Sequence, residues 1–287
     1  MKPMNVLITG SRGQLAGEFI RRLAGPRYRV EAPPEEELDI TRSDRVEEAF
    51  RRHQPHMVIN CAAYNLVDRA EQDHETAFRV NALGVKHLAE ACRISGSLLI
   101  HYSTDYVFDG AKDAFYTEDD EPNPINRYGQ TKLAGDRFVM ETLPGYLLFR
   151  VSWVFGTGTQ NFLHKLMDLA GKNRVLRVVS DQLSIPTPTD LIVQLTLRAV
   201  RKGLRGLYNL TAGGYVTRYE LARYFLAAVG KQNLILPVTS DYFPSPARRP
   251  AFSALSNGKL AGALGVTIPS WERGIDRYVR TLAPTPI

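Results

Sequence analysis

The sequence predicts an α/β protein, a doubly wound parallel sheet carrying a smaller C-terminal substrate domain. Three observations predict it. The first half of the 287 residues alternates short apolar runs with stretches of helical period. A glycine turn follows the first apolar run directly, and the second half is less regular, interrupted by Pro186-Thr187-Pro188 and Tyr242-Phe243-Pro244-Ser245-Pro246. Strand–helix alternation implies parallel pairing through right-handed crossovers. The length exceeds a typical single domain, so two unequal units are expected. Residues 1–150 are assigned to the sheet domain and 151–287 mainly to the second, with part of about 174–205 returning to the sheet.

The elements follow in order. Val6-Leu7-Ile8 reads as a buried strand and leads into Thr9-Gly10-Ser11-Arg12-Gly13-Gln14-Leu15-Ala16-Gly17. Gly10 is free to take the positive φ of a tight turn, and Gly13 lets backbone approach a pyrophosphate at a helix N-terminus. Ala16 stands where a third glycine often sits, and is small enough for close helix–strand packing. The strand, turn and helix together predict a Rossmann-type nucleotide site. Leu15, Ala16, Phe19, Ile20 and Leu23 share one helical face, stopped by Gly25-Pro26. Arg12 projects from the turn, either to clamp a ribose 2′-phosphate and favour NADP over NAD or as a solvated loop arginine. Asp39-Ile40 is expected after a third strand. Asp39 either contacts the adenine edge or serves as a turn residue ahead of a cap at Thr41/Ser43. Further helices are expected at Ser43–Phe50 and Ala77–Ala91, and strands at Met57–Cys61, Leu98–Ile100 and Tyr146–Val151.

The strand expected at Leu98–Ile100 is followed by Tyr102, Ser103, Thr104, Asp105 and Tyr106, hydroxyls and a carboxylate where an open sheet places its binding crevice. Tyr128-Gly129-Gln130-Thr131-Lys132 sets a phenol and an ammonium on one helix face, the one occurrence of this spacing in the chain. A lysine beside a tyrosine favours the phenolate and lowers the phenol's pKa. Such a phenol can protonate a carbonyl oxygen while a hydride reaches the carbon. Thr104, at a strand's carboxyl end, is expected to hydrogen-bond the same oxygen and stabilise the developing alkoxide.

Composition narrows the classes. No run approaches the roughly 20 apolar residues of a membrane span, and the apolar run at residues 4–8 is too short for a signal peptide, so a cytoplasmic location is expected. Cys61 and Cys92 give neither a disulfide framework nor metal-ligand spacing. The net charge of +6 comes from bases scattered among acids such as Glu35-Glu36-Glu37, with no long basic tract. That balance suits an anionic small molecule, and no motif supports nucleic-acid binding.

With the glycine turn, Thr104 and the Tyr128/Lys132 pair in this order, the chain resembles the extended short-chain dehydrogenase/reductase family. Asn60-Cys61-Ala62-Ala63-Tyr64, Val67-Asp68-Arg69-Ala70-Glu71, Ser103-Thr104-Asp105-Tyr106-Val107-Phe108, Arg150-Val151-Ser152-Trp153-Val154 and Asp181-Gln182 with Pro186-Thr187 narrow the resemblance to one branch. Arg249-Pro250, Ser253, Leu255 and Trp271 extend it nearly to full length. That branch reduces the 4-keto group of a dTDP-linked 6-deoxyhexulose with NADPH or NADH. The resemblance implies that Tyr128 donates the proton, Lys132 holds the nicotinamide ribose and supports Tyr128, and Thr104 orients the keto oxygen. It places Gly13, Gln14 and Leu15 along the pyrophosphate, with Asp39 and Ile40 on the adenine side. Ala63, Tyr64, Asn65 and Tyr102 would border the cofactor, and Thr104, Asp105 and Trp153 the sugar, although Trp153 also suits core packing. Some relatives dimerise through carboxylates sharing a magnesium ion. Glu18 and Asp190 would stand for two of these and Thr281 for the third, so no metal is expected, and a monomer or homodimer is. The alternatives are a reductase or epimerase of another nucleotide sugar, or a non-catalytic subunit similar to the regulatory one of methionine adenosyltransferase.

Overall fold

The computed structural model describes residues 2–282. Its first half runs β1 (Met4–Thr9), α1 (Gln14–Leu23), β2 (Tyr28–Glu31), α2 (Ser43–His53) and β3 (Met57–Asn60). Short helices α3 (Val67–Ala70) and α4 (His74–Phe78) lead through a π-type turn at Arg79–Leu83 into α5 (Gly84–Ser95). β4 (Leu98–Thr104), α6 (Arg127–Thr142) and β5 (Tyr146–Val151) complete it. The second half contains β6 (Val154–Phe155), α7 (Phe162–Lys172), β7 (Val175–Val179), β8 (Leu183–Ser184), β9 (Thr187–Pro188), α8 (Thr189–Arg201) and β10 (Gly206–Asn209). β11 (Val216–Thr217), α9 (Arg218–Ala228), β12 (Leu234–Val238), α10 (Gly258–Leu264) and α11 (Trp271–Leu282) follow.

Six parallel strands form the central sheet in the order β2-β1-β3-β4-β5-β10. Their apolar runs are buried on both faces, as helices on both sides require. One face packs Phe19 of α1 against Tyr102 and Phe149, with α8 beside α1. The other lies under α2, α5 and α6, where Val46, Val85, Leu88 and Val139 are buried. A fully buried side chain such as Phe19 contributes about 1.5–3 kcal/mol relative to exposure. The strand rejoining the sheet from the second half is β10, just past the 174–205 stretch. Within that stretch α8 packs on α1, while β7 pairs with β12 in a separate two-stranded sheet.

The strand that begins with Leu98–Ile100 runs on to Thr104 at its carboxyl end, as expected, because each polar residue finds a buried partner. Ser103 donates to Asp136 (2.6 Å), and the hydroxyls of Tyr102 and Thr196 are 2.8 Å apart. Local readings change in two places. No third strand precedes Asp39. Residues 32–42, with Pro33-Pro34 and three successive glutamates, form a loop, and Asp39 follows the second strand. The helix read at Ala77–Ala91 is interrupted by the π-type turn, which places buried Asn81 out of helical phase.

Candidate active site

The strand order reverses between β1 and β3, and an open α/β sheet binds its ligand outside the carboxyl ends at such a point. Gly10 there has φ +65°, and a β-carbon on it would stand 2.6 Å from the Ala62 nitrogen, so the first turn lies directly on the chain leaving β3. Gly13 caps α1 without a side-chain hydrogen bond, and no acidic residue occupies the first turn. The leading N–H groups of a ten-residue helix thus carry their partial positive charge toward an anion. This donor set and bare backbone suit a dinucleotide pyrophosphate. Gln14 ties the turn to the second half, its amide donating to the Val154 carbonyl (3.1 Å) and its β-carbon filling the space beside Gly158. Leu15 is half-buried next to it.

At the rim, Arg12 forms a two-pronged ion pair with Glu36 (2.7 and 2.9 Å), both side chains mostly exposed. Asp39 turns inward on its own loop, accepting from the Thr41 backbone (2.9 Å) and hydroxyl (2.8 Å), which is the turn role. Ile40 is buried, with its side chain over Gly84. Ala63, Tyr64 and Asn65 leave β3 beside the glycine turn. Asn81 holds this segment, accepting from the Tyr64 N–H (2.9 Å) while its amide donates to the Tyr64 carbonyl and to the Thr131 hydroxyl (both 3.1 Å). Asn81 was missed in the sequence. Its signal is a lone amide inside Val80-Asn81-Ala82-Leu83.

α6 brings the phenol to the strand end. Asn126 caps it by accepting from the Gly129 N–H (2.8 Å), and Gly129 lies against the Tyr106 carbonyl in the short turn Asp105–Val107. Gly135 likewise lies against the Asn81 carbonyl. With glycines at both contacts α6 packs closely, and the Tyr128 phenol meets the Thr104 hydroxyl. Tyr106 stacks edge-on to Tyr128 with ring centroids 6.0 Å apart. Burial pushes the Tyr128 phenol well above the usual tyrosine range, against Thr104, which favours ionisation. This corrects the expectation of a lowered value. Lys132 is buried one turn away and its ammonium is held by the Tyr102 carbonyl (2.6 Å), so desolvation of the phenol dominates. Burial also lowers Lys132, to about 8, with Asp136 opposing.

Tyr102 and Asp105 sit differently from the rest. The Tyr102 side chain points into the core between Phe19 and Phe149, and its carbonyl is the part that meets Lys132. Asp105 is 2% exposed, and its carboxylate accepts from Ser253 (2.6 Å), Ser184 (2.9 Å), Ser152 (3.2 Å) and Thr104 (3.2 Å). It therefore pins Thr104 and joins the two halves of the chain, leaving little surface for a sugar. Burial raises its carboxyl against these four donors.

Trp153 has φ +36°, unusual for a bulky side chain, and the Arg218 guanidinium lies 4.3 Å from its ring centroid. Arg218 lines a cleft of about 880 Å³ together with Lys165, Arg248 and Arg249. Arg249 also donates to Asp68 (2.7 Å), and the charges of Arg218 and Arg249 act on Tyr106, so the cleft adjoins Tyr128. Sequence reasoning did not single out Arg218, because nothing local marks it. Glu18 and Asp190 are ion-paired, to Arg21 and Arg277 respectively, and the Thr281 hydroxyl donates to the Tyr278 carbonyl. Among the described residues no group of three or more His, Cys, Asp or Glu side chains is placed to hold a metal ion, and no helix is long and apolar enough to cross a membrane.

A family model described as RmlD substrate binding domain matches residues 4–283. A dTDP-4-dehydrorhamnose reductase of Salmonella typhimurium is 34% identical over 98% of this chain and 99% of its own. A dTDP-4-dehydrorhamnose reductase structure from Clostridium acetobutylicum superposes with a TM-score of 0.94 at 35% identity, over 97% of this chain and 99% of its own. The Bacillus anthracis dTDP-4-dehydrorhamnose reductase, solved in complex with NADP, gives 0.94 at 32% identity with the same coverage.

Proposed function

We propose a function from one premise: the chain belongs to the RmlD substrate binding domain family. It is an NADPH-dependent oxidoreductase that reduces the 4-keto group of dTDP-6-deoxy-L-lyxo-4-hexulose to give dTDP-L-rhamnose. The reading is carried by full-length likeness to reductases of this name in a chain whose Thr104 hydroxyl and Tyr128 phenol come together at the carboxyl end of β4.

The Gly10–Gly13 turn and the α1 N-terminus hold the pyrophosphate, and Arg12, exchanged from Glu36, holds a 2′-phosphate. The loop that Asp39 folds and Ile40 anchors borders the adenine, with Ala63, Tyr64 and Asn65 along the cofactor and Lys132 on the nicotinamide ribose. NADPH bound there supplies the hydride. A phenol kept protonated by burial is the state a reductase needs, because Tyr128 has to deliver a proton to the keto oxygen rather than remove one. Thr104 hydrogen-bonds that oxygen, and its own direction is fixed by the Tyr106 N–H (3.2 Å) and Asp105. Lys132, near neutrality in its ionisation, stabilises the phenolate left behind. The cations of the cleft, Arg218 and Lys165 among them, face the nucleoside diphosphate, and Trp153 borders the sugar. A cytoplasmic site of action fits a nucleotide-sugar substrate.

The test is NADPH oxidation followed at 340 nm with the keto sugar generated in situ. Stoichiometric oxidation with formation of the 6-deoxy sugar supports the reading. Turnover confined to UDP- or GDP-linked keto sugars, or no turnover with any of them, overturns it.

A further inference from the structure

Five ionisable side chains are buried behind the site: Lys132 and Arg150 as cations, Asp105 and Asp136 as carboxylates, and His101. Asp105 is spoken for by its hydroxyls. Asp136 is different. It is fully buried one helical turn beyond Lys132, Oδ2 accepts from Ser103 (2.6 Å), and Oδ1 has no hydrogen-bond partner. The His101 Nε2 atom, also without a partner, lies 3.6 Å from that oxygen. An unpartnered carboxylate oxygen in a core costs free energy, so its presence calls for an explanation in what its charge does.

The hydrogen bonds behind it fix the direction of this chain. Asn60 Oδ1 accepts from the Thr9 hydroxyl (2.6 Å) and the Ala62 N–H (3.2 Å), so the Asn60 amide faces His101 Nδ1 at 3.0 Å as donor. Nδ1 is therefore the acceptor nitrogen and the ring proton sits on Nε2, aimed at Asp136 Oδ1. Burial first, and Lys132 next, lower the His101 pKa to about 4, so the ring is a neutral dipole near pH 7. The groups around Lys132 are Asp136, one turn further along its own helix with Tyr128 one turn before it, His101 and the Tyr102 carbonyl from β4, and beyond Asp136 the Arg150 guanidinium from β5. Among these, Asp136 supplies the negative charge, and Arg150 competes for it.

We infer that Asp136 is the positioning residue that keeps Lys132 in its ammonium form, with the Ser103 hydroxyl holding the carboxylate in place and the His101 Nε2–H dipole aimed at its other oxygen. Without that counter-charge, a buried amine at the end of a carbonyl hydrogen bond sheds its proton near neutrality. It then loses both its grip on a ribose and its hold on the phenolate. Asp136 acts through Lys132 and touches no ligand. The inference rests on the reading of Lys132 given above, and its experiment is chosen to fail separately.

The measurement is the pH dependence of NADPH affinity, by quenching of intrinsic fluorescence, alongside kcat where turnover is found. Wild type loses affinity as pH rises through about 8, where Lys132 deprotonates. In Asp136→Asn the midpoint of that loss moves to lower pH by about 1–3 units, the range for removing an adjacent opposite charge. Asp136→Glu restores it to within about half a unit. Ser103→Ala moves it the same way by less, and decides the matter if Asp136→Asn does not fold by circular dichroism. An Asp136→Asn midpoint equal to that of wild type, or an unmoved Ser103→Ala midpoint where only that variant folds, overturns the inference, even with kcat reduced. If wild type reduces no keto sugar but the midpoint of its NADPH affinity still shifts in Asp136→Asn, the substrate reading fails and the role of Asp136 stands.

Discussion

Gly129→Ala separates packing from chemistry. The β-carbon it adds would run into the Tyr106 carbonyl oxygen and stand 3.0 Å from the Pro124 β-carbon. Replacing glycine by alanine inside a helix ordinarily gains up to about 1 kcal/mol. Here the methyl needs on the order of 1 Å more room, since carbon contacts are comfortable only near 3.5 Å. The obstacle is backbone and cannot rotate aside. Overpacking of this kind costs about 1–3 kcal/mol, leaving a net loss of up to ~2 kcal/mol. The effect on turnover is larger, because the parts forced apart are the turn that follows Thr104 and the helix residue that follows Tyr128. A misplacement of about 1 Å costs on the order of 10²-fold in rate. Urea denaturation gives the stability change, and NADPH oxidation with the keto sugar gives kcat. Gly171→Ala is the control. It is a helical glycine with nothing within 4 Å of its added carbon, so stability holds or rises slightly and turnover is unchanged. A Gly129→Ala protein with kcat within twofold of wild type would refute the claim that this contact sets the distance between phenol and hydroxyl.

Three further outcomes follow from named contacts. Tyr128→Phe keeps the fold and NADPH affinity but lowers kcat by roughly 10²–10⁴-fold, the range for losing a positioned acid. A Phe variant at the wild-type rate removes Tyr128 from the proton transfer. Glu36→Gln frees Arg12 from its ion pair, so the NADPH-to-NADH ratio of kcat/KM rises several-fold, and an unchanged ratio makes the pair a surface contact without bearing on the cofactor. Asp105→Asn replaces an acceptor of four hydroxyl donors by a group with only one acceptor oxygen, costing about 1–3 kcal/mol at pH 7 by denaturation. Because burial raises the Asp105 carboxyl, its contribution to stability is full below the unfolded value near 4 and shrinks as pH rises through the folded one. The gap between wild type and variant therefore widens on acidification, and a gap that narrows contradicts the assignment.

The sheet was readable because its physics is local. Apolar runs such as Met57–Ile59 and Leu147–Phe149 are buried on both faces, and the helix on Leu15–Leu23 shows its period in five residues. The polar end of β4 rests largely on partners that lie far off in the sequence. The Asn60 amide meets the His101 ring (3.0 Å), Asp136, brought over by α6, accepts from Ser103, and the following turn satisfies Thr104. A helix that slips through a π-type turn has no single period, which hid Asn81.

The site was legible in its kinds of residue and illegible in their orientation, for one physical reason. A glycine turn and a Tyr-x-x-x-Lys spacing are short-range patterns, but what decides a side chain's job here is contact across long stretches of chain. The family resemblance places Asp105 at the sugar. Ser184 and Ser253, 79 and 148 residues away, turn it into an internal tether instead. Arg218 is the opposite case. It lies 90 residues beyond Tyr128, yet it stacks on Trp153 and its charge reaches Tyr106. The hydroxyl and phenol thus stand where the two halves of the chain are sewn together. A substrate held by the second half, as proposed, would therefore bear directly on the geometry at Thr104, with no moving lid needed to transmit it.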